Sequence, residues 1–119
     1  MNDFQLKLKS IMNEYVHFVY QQTRSFPKQE MYSSVSQWRR CSLSIVLNYV
    51  EGYARNRRAS RLYFLEISYG SLMESTYLID FFKAENILDE KSYINGSKMS
   101  KEIGSMLWTE MSKLKSNLA

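Results

Sequence analysis

One proline, Pro27, and four glycines are the only strong chain-breakers in 119 residues. β-Sandwiches and barrels need turn residues every 8–12 positions or so, so this scarcity excludes them and leaves an all-α fold. The apolar spacing points the same way. Phe4, Leu8, Ile11, Tyr15 and Phe18 recur at steps of three and four, with Met12, Val16 and Val19 widening the stripe. The series ends near Arg24, ahead of Ser25-Phe26-Pro27, because a proline disfavours helical backbone in the residue before it. A second stripe takes Met31, Val35, Trp38, Ser42, Ile45, Tyr49 and Gly52, and a third takes Leu62, Leu65, Tyr69, Leu72, Thr76 and Ile79. The fourth runs through Tyr93, Ser100, Ile103, Leu107, Met111, Leu114 and Leu118, with Asp89 ahead of it as N-cap. Asn95-Gly96 falls inside this last stripe, but Tyr93 and Ile94 stay in phase, so one helix is expected. The pattern predicts helices over 3–24, 28–53, 58–84 and 89–117 of one domain, 1–119, folded as an antiparallel up-down-up-down four-helix bundle.

Composition narrows the function more than it names it. Apolar residues make up 45% and charged residues 24%, the balance of an ordinary folded domain rather than a disordered chain. No apolar run approaches the roughly 18 residues of a membrane span, and Met1-Asn2-Asp3 does not open a secretory signal, so the expected location is the cytoplasm with no membrane partner. Cys41 and His17 are each the single residue of their kind, which rules out an internal disulfide and a zinc site. Glu14-Tyr15-Val16-His17 has the Glu-x-x-His spacing of di-iron carboxylate bundles, but such a site needs a second His, so neither metal nor cofactor is expected. With no second His, no nucleophile elbow and no Gly-rich phosphate loop, the chain is not expected to be an enzyme.

Charge is distributed unevenly. The net charge is +4, yet every arginine lies between Arg24 and Arg61, and Arg55, Arg57, Arg58 and Arg61 form a run without an acid where the apolar spacing lapses. This is the expected second connection, with a charged helix start behind it. The third helix is unusual in its apolar coverage: Tyr63, Phe64, Ile67, Met73, Tyr77, Phe81 and Phe82 lie off its stripe. Such coverage predicts either self-association through the second and third helices or a rim of amphipathic aromatic side chains.

Three blocks in these two helices carry a family likeness: Ser36-Gln37-Trp38-Arg39-Arg40, then Asn48-Tyr49-Val50-Glu51-Gly52, then Gly70-Ser71-Leu72-Met73-Glu74. With Phe26-Pro27 before them and Ile103-Gly104 after, they resemble the bacterial four-helix bundle family of 23S rRNA intervening-sequence proteins, and are similar to the accessory proteins of diversity-generating retroelements. The resemblance implies a ring-like homopentamer with no assigned enzymatic activity. For the retroelement relatives it further implies binding to a reverse transcriptase and to nucleic acid through basic surface.

The same residues have structural readings. A hairpin of the second and third helices sets position 38 opposite 74, so Arg39 or Arg40 is expected to meet Glu74, and Glu51 to meet Arg58 or Arg61, as ion pairs. Gly70 and Ser71 in mid-helix predict a close approach to Ser34, Cys41, Ser42 and Ser44, with Trp38 and Tyr69 packed above and below. Gly52 is expected to end its helix in the left-handed conformation, with Asn48 and Glu51 satisfying nearby donors. Lys7, Lys9, Lys98, Lys101, Lys113 and Lys115 are expected on exposed faces.

Two functions follow as expectations. In the first, Arg55, Arg57, Arg58 and Arg61 form a basic rim, multiplied by fivefold symmetry, that binds RNA or DNA, with Tyr53 and Tyr63 stacking on unpaired bases. In the second, the oligomer is a protein-binding adaptor without nucleic-acid contact that displays an aromatic groove to another polypeptide; the arginine run by itself also reads as a solvated loop balancing Glu51 and Glu66.

Overall fold

The computed structural model describes residues 1–117, which places Leu118 of the fourth stripe outside the described residues. Four long helices account for nearly all of it: α1 (Asp3–Thr23), α2 (Ser34–Tyr53), α3 (Arg58–Ala84) and α4 (Glu90–Ser116), with a short 3₁₀ turn at Lys28–Glu30. No strand occurs among the described residues.

The ends follow local chemistry. The Asn2 side chain accepts from the Gln5 amide while the Gln5 side chain accepts from the Asn2 amide, a reciprocal cap that starts α1. Asp89 caps α4 by accepting from the Ser92 amide at 2.7 Å, and that bond holds its carboxyl below the usual carboxylate range. After α3, Asn86 takes a left-handed φ of 59°, and the amides of Ile87 and Leu88 turn back to the Phe82 carbonyl, delivering Leu88 to the core. α2 starts at Ser34, six residues later than expected at 28, because the amides of Glu30, Met31 and Ser33 bond three residues back to the carbonyls of Pro27, Lys28 and Glu30 and close tight turns instead of an α-helix. Ser34 Oγ bonds to Glu30 Oε1 at 2.7 Å and Ser33 Oγ to the Glu30 carbonyl at 3.5 Å, so the chain after Pro27 makes turns before it makes a helix.

The apolar stripes meet in one core centred on Trp38, Tyr15, Tyr49 and Phe82, all fully buried. Trp38 packs against Phe82 at 5.1 Å and Phe26 at 6.0 Å between ring centroids, so the residue before Pro27 closes one end of the core. The indole donates to Ser75 Oγ at 3.1 Å, and Tyr15 Oη lies 2.5 Å from the same hydroxyl. Burial pushes the Tyr15 phenol up to about 12. Two expected core positions differ: Phe4 is exposed at the start of α1, whereas Phe82, expected off the α3 stripe, is fully buried. Tyr63, Met73 and Tyr77 do lie exposed on α3, as the wide apolar coverage of that helix required.

The small-residue seam between α2 and α3 is made by serines rather than by Gly70. Ser44 Oγ bonds to Ser71 Oγ at 2.7 Å, Ser42 Oγ to Ser75 Oγ at 3.1 Å, and Ser68 Oγ donates to the Ile45 carbonyl at 2.6 Å. Gly70 faces solvent, and a Cβ there would meet nothing within 4 Å; Tyr69 turns instead toward α4, where its ring lies 5.4 Å from that of Trp108. Replacing Gly70 with alanine is therefore expected to stabilise the protein by about 0.5–1 kcal/mol, read as a higher urea midpoint at unchanged slope. The packing glycines are two others. A Cβ on Gly52 would come within 2.7 Å of Leu65 Cδ1 and 3.2 Å of the Arg61 carbonyl, and one on Gly96 within 2.8 Å of the Phe18 ring. Gly52 is thus helical and buried, with no positive φ, which corrects its expected left-handed role. Gly96 lies inside an unbroken α4 and lets α1 approach it.

Candidate nucleic-acid interface

The arginine run occupies the connection between α2 and α3, and its four members do different things. Arg61 reaches back to the end of α2, where Nε donates to the Gly52 carbonyl at 3.4 Å and Nη2 to the Arg55 carbonyl at 3.1 Å. One of these acceptors lies in the last turn of α2 and the other in the connection just after it, where the negative end of the helix favours a cation. The guanidinium also lies 4.5 Å from the centre of the Tyr53 ring. Arg55 pairs with Glu51 one turn earlier and lies over the Phe64 ring at 4.8 Å. Glu51 is therefore spent on Arg55, not on Arg58 or Arg61 as expected. Arg57 and Arg58 are exposed and, among the described residues, have no carboxylate within salt-bridge distance. They flank the start of α3, where Arg57 supplies no side-chain cap and the first turn carries no acid, so free amides and positive charge coincide.

The starts of α1 and α3 and the ends of α2 and α4 converge there on a polar pocket of about 260 Å³, whose wall includes Arg58, Arg61, Tyr53 and Lys113. Glu110 forms part of it and is only 6% exposed. Tyr49 and Tyr53 both donate their hydroxyls to its carboxylate, and Gln5 Nε2 donates to Tyr53 Oη at 3.1 Å. Burial first, and the adjacent carboxylate second, raise both phenols well above the usual tyrosine range, so both hydroxyls stay protonated donors. Sequence reasoning did not single out Glu110. The signal was present: it stands three residues after Leu107 and four before Leu114, a charge on an otherwise apolar stripe.

The remaining motif residues are structural in placement. Arg39 donates from Nε to Thr23 Oγ1 at 2.8 Å and lies over the Tyr20 ring at 4.6 Å, joining α2 to α1 rather than to Glu74. Arg40 and Glu74 are exposed and border one shallow depression without forming an ion pair, which corrects the expected bridge. Asn48 donates to both the carbonyl and the hydroxyl of Ser44 at 2.9 Å. Cys41 is buried, its thiol raised to about 11 by burial, which keeps it protonated and unreactive. Glu14 and His17 are exposed, and among the described residues no group of three His, Cys, Asp or Glu side chains is placed to hold a metal ion. Lys7, Lys9, Lys98, Lys101, Lys113 and Lys115 are exposed. Among the described residues no helix is long and apolar enough to cross a membrane.

An all-α, four-helix protein with a run of arginines at one end is the class that fold and site define. Residues 5–109 match the family model described as 23S rRNA-intervening sequence protein, and the chain belongs to that family. The fold is similar to a crystal structure of a protein of unknown function from the S23 ribosomal protein family of Bacteroides thetaiotaomicron VPI-5482. The TM-score is 0.83 at 19% identity, over 92% of this chain and 98% of that one. No curated protein matches the chain.

Proposed function

We propose that this protein is a non-catalytic, oligomeric accessory that binds nucleic acid, RNA in particular, through the basic end where α2 meets α3. The observation that carries the reading is the pair Arg57 and Arg58, exposed beside an uncapped helix start with no carboxylate set against them among the described residues. Arg39, Arg55 and Arg61 are tied to neighbouring groups, whereas these two face solvent beside the free amides that start α3. Tyr63, 60% exposed beside them, offers a ring on which an unpaired base can stack.

The assembly we propose is an up-down-up-down bundle arranged as a ring-like homopentamer in the cytoplasm, as the family resemblance implies. Trp38 opposite Ser75, Ser44 opposite Ser71 and Ile45 opposite Ser68 support the reversed course of α2 and α3. Leu47, Val50 and Tyr77, exposed on the same two helices, support self-association through them. A reverse transcriptase remains a candidate protein partner on the same resemblance.

The test is charge reversal. Arg57→Glu with Arg58→Glu is expected to lower affinity for a structured RNA more than about tenfold at low salt, with helical content and molar mass unchanged. Retained binding would sink the proposal. A second reading, a protein-binding adaptor, is favoured by one observation: a groove of about 490 Å³ between α3 and α4, bordered by Tyr69, Met73 and Trp108, the last 53% exposed.

A further inference from the structure

The pocket beside the arginine run combines features that the proposed rim does not need. A rim that follows a phosphate backbone works with surface cations alone. Here the cations stand over a hollow with a buried carboxylate in its wall. Arg58, Arg61 and Lys113 contribute three positive charges and Glu110 one negative, which leaves two positive charges to be met. A phosphomonoester carries about −1.5 to −2 near neutral pH, so it fits that remainder, whereas a backbone phosphodiester carries a single charge. Glu110 adds the second requirement. A carboxylate has about four lone-pair positions, and Tyr49 and Tyr53 occupy two of them. A ligand hydroxyl placed against it meets one of the remaining lone pairs, whereas an oxyanion in the same position is repelled, so the phosphate belongs on the cationic side of the pocket.

The surroundings hold this arrangement in place. Arg61 is fixed by two carbonyls and the Tyr53 ring, and Tyr53 by Glu110 and Gln5, so the cation and the carboxylate are set relative to each other before any ligand arrives. The volume, about 260 Å³, is below the range of about 300–1,000 Å³ for drug-sized ligands and suits a sugar phosphate without its base.

We infer that this pocket receives a phosphomonoester borne on a hydroxylated sugar, the phosphate meeting Arg58, Arg61 and Lys113 and a sugar hydroxyl donating to Glu110. Two sources share this chemistry, the phosphorylated end of an RNA strand and a free sugar phosphate. The strand end is the source that fits a basic rim outside, and in that respect the inference rests on the proposed function.

The experiment uses the full chain and one short RNA sequence in three forms: linear with a 5′-phosphate, linear with a 5′-hydroxyl, and circular. Calorimetric titrations with ribose 5-phosphate, ribose and inorganic phosphate accompany them. The 5′-phosphorylated RNA is expected to bind about tenfold more tightly than the circle, and ribose 5-phosphate more tightly than either ribose or phosphate. Lys113→Ala and Glu110→Gln should each remove the preference for the phosphorylated end, while Arg57→Glu lowers affinity for linear and circular RNA alike. Lys113 is exposed, so its variant decides the matter even where Glu110→Gln disturbs folding. Equal binding of all three RNAs with no binding of ribose 5-phosphate would overturn the pocket and leave the rim standing. Binding of ribose 5-phosphate that is lost in Lys113→Ala, with no RNA bound in any form, would support the pocket and overturn both the strand end as its source and the proposed function. Inorganic phosphate, whose own P–OH is a donor, binding as tightly as ribose 5-phosphate would overturn the sugar hydroxyl as the group that meets Glu110.

Discussion

Trp38→Ala is expected to cost about 3–5 kcal/mol, a large share of the roughly 5–15 kcal/mol that holds a domain of this size together. The indole is fully buried and touches three aromatic rings, those of Phe18, Phe26 and Phe82, so its removal opens a cavity that α1, α2 and α3 cannot all close. Trp38→Phe separates packing from hydrogen bonding. The phenyl ring keeps most of the aromatic contact, and Ser75 and Tyr15 still satisfy one another at 2.5 Å once the indole donor is gone. The expected cost is then about 1–2 kcal/mol. Urea unfolding of both variants reads the difference. Equal losses would show that the polar network, not the ring packing, carries the stability.

The second large effect concerns Glu110. Glu110→Ala is expected to cost about 2–3 kcal/mol, because Tyr49 Oη, on a fully buried ring, is left without its acceptor, while the half-exposed Tyr53 can turn to water. Removing the donor along with the acceptor should recover much of that loss. Tyr49→Phe combined with Glu110→Leu is expected to be more stable than Glu110→Ala by about 1–2 kcal/mol, since an apolar pair of similar shape leaves nothing unsatisfied. A double-mutant cycle with no coupling between the two positions would contradict the shared hydrogen bond.

The helical stripes were legible because burial follows spacing: Val35, Trp38, Ile45 and Tyr49 in α2, and Leu65, Leu72 and Ile79 in α3, are buried where their period puts them. What spacing does not carry is the choice among chemically equivalent partners. By hairpin register Arg39 falls near Glu74 on α3, yet it bonds Thr23 and covers Tyr20 on α1, a choice that only the packing of α1 against α2 makes. The same holds for the glycines. Gly52, Gly70 and Gly96 look alike in a helix, yet two of them meet neighbours and one meets solvent, which depends on rotation about the helix axis by a residue or so. At the basic end, composition located the arginine run, but its division into tied and free members needed the positions of Glu51 and the α2 carbonyls. Lys113 joins that end from α4, more than fifty positions away in the chain, so no local window contains both.

The most direct test of the nucleic-acid reading is the salt dependence of binding to a single-stranded RNA by nuclease-treated protein. Among the described residues Arg57, Arg58, Arg61 and Lys113 are the cations of this end with no carboxylate paired to them; Arg61 keeps its charge although carbonyls hold it, and Arg55 is neutralised by Glu51. About four phosphate contacts per subunit predict a log–log slope of about −3 for a single strand, made shallower by more than about 1 in Arg57→Glu with Arg58→Glu. A slope near zero, or no binding at low salt, would contradict the reading and turn the basic end into surface charge without a phosphate partner.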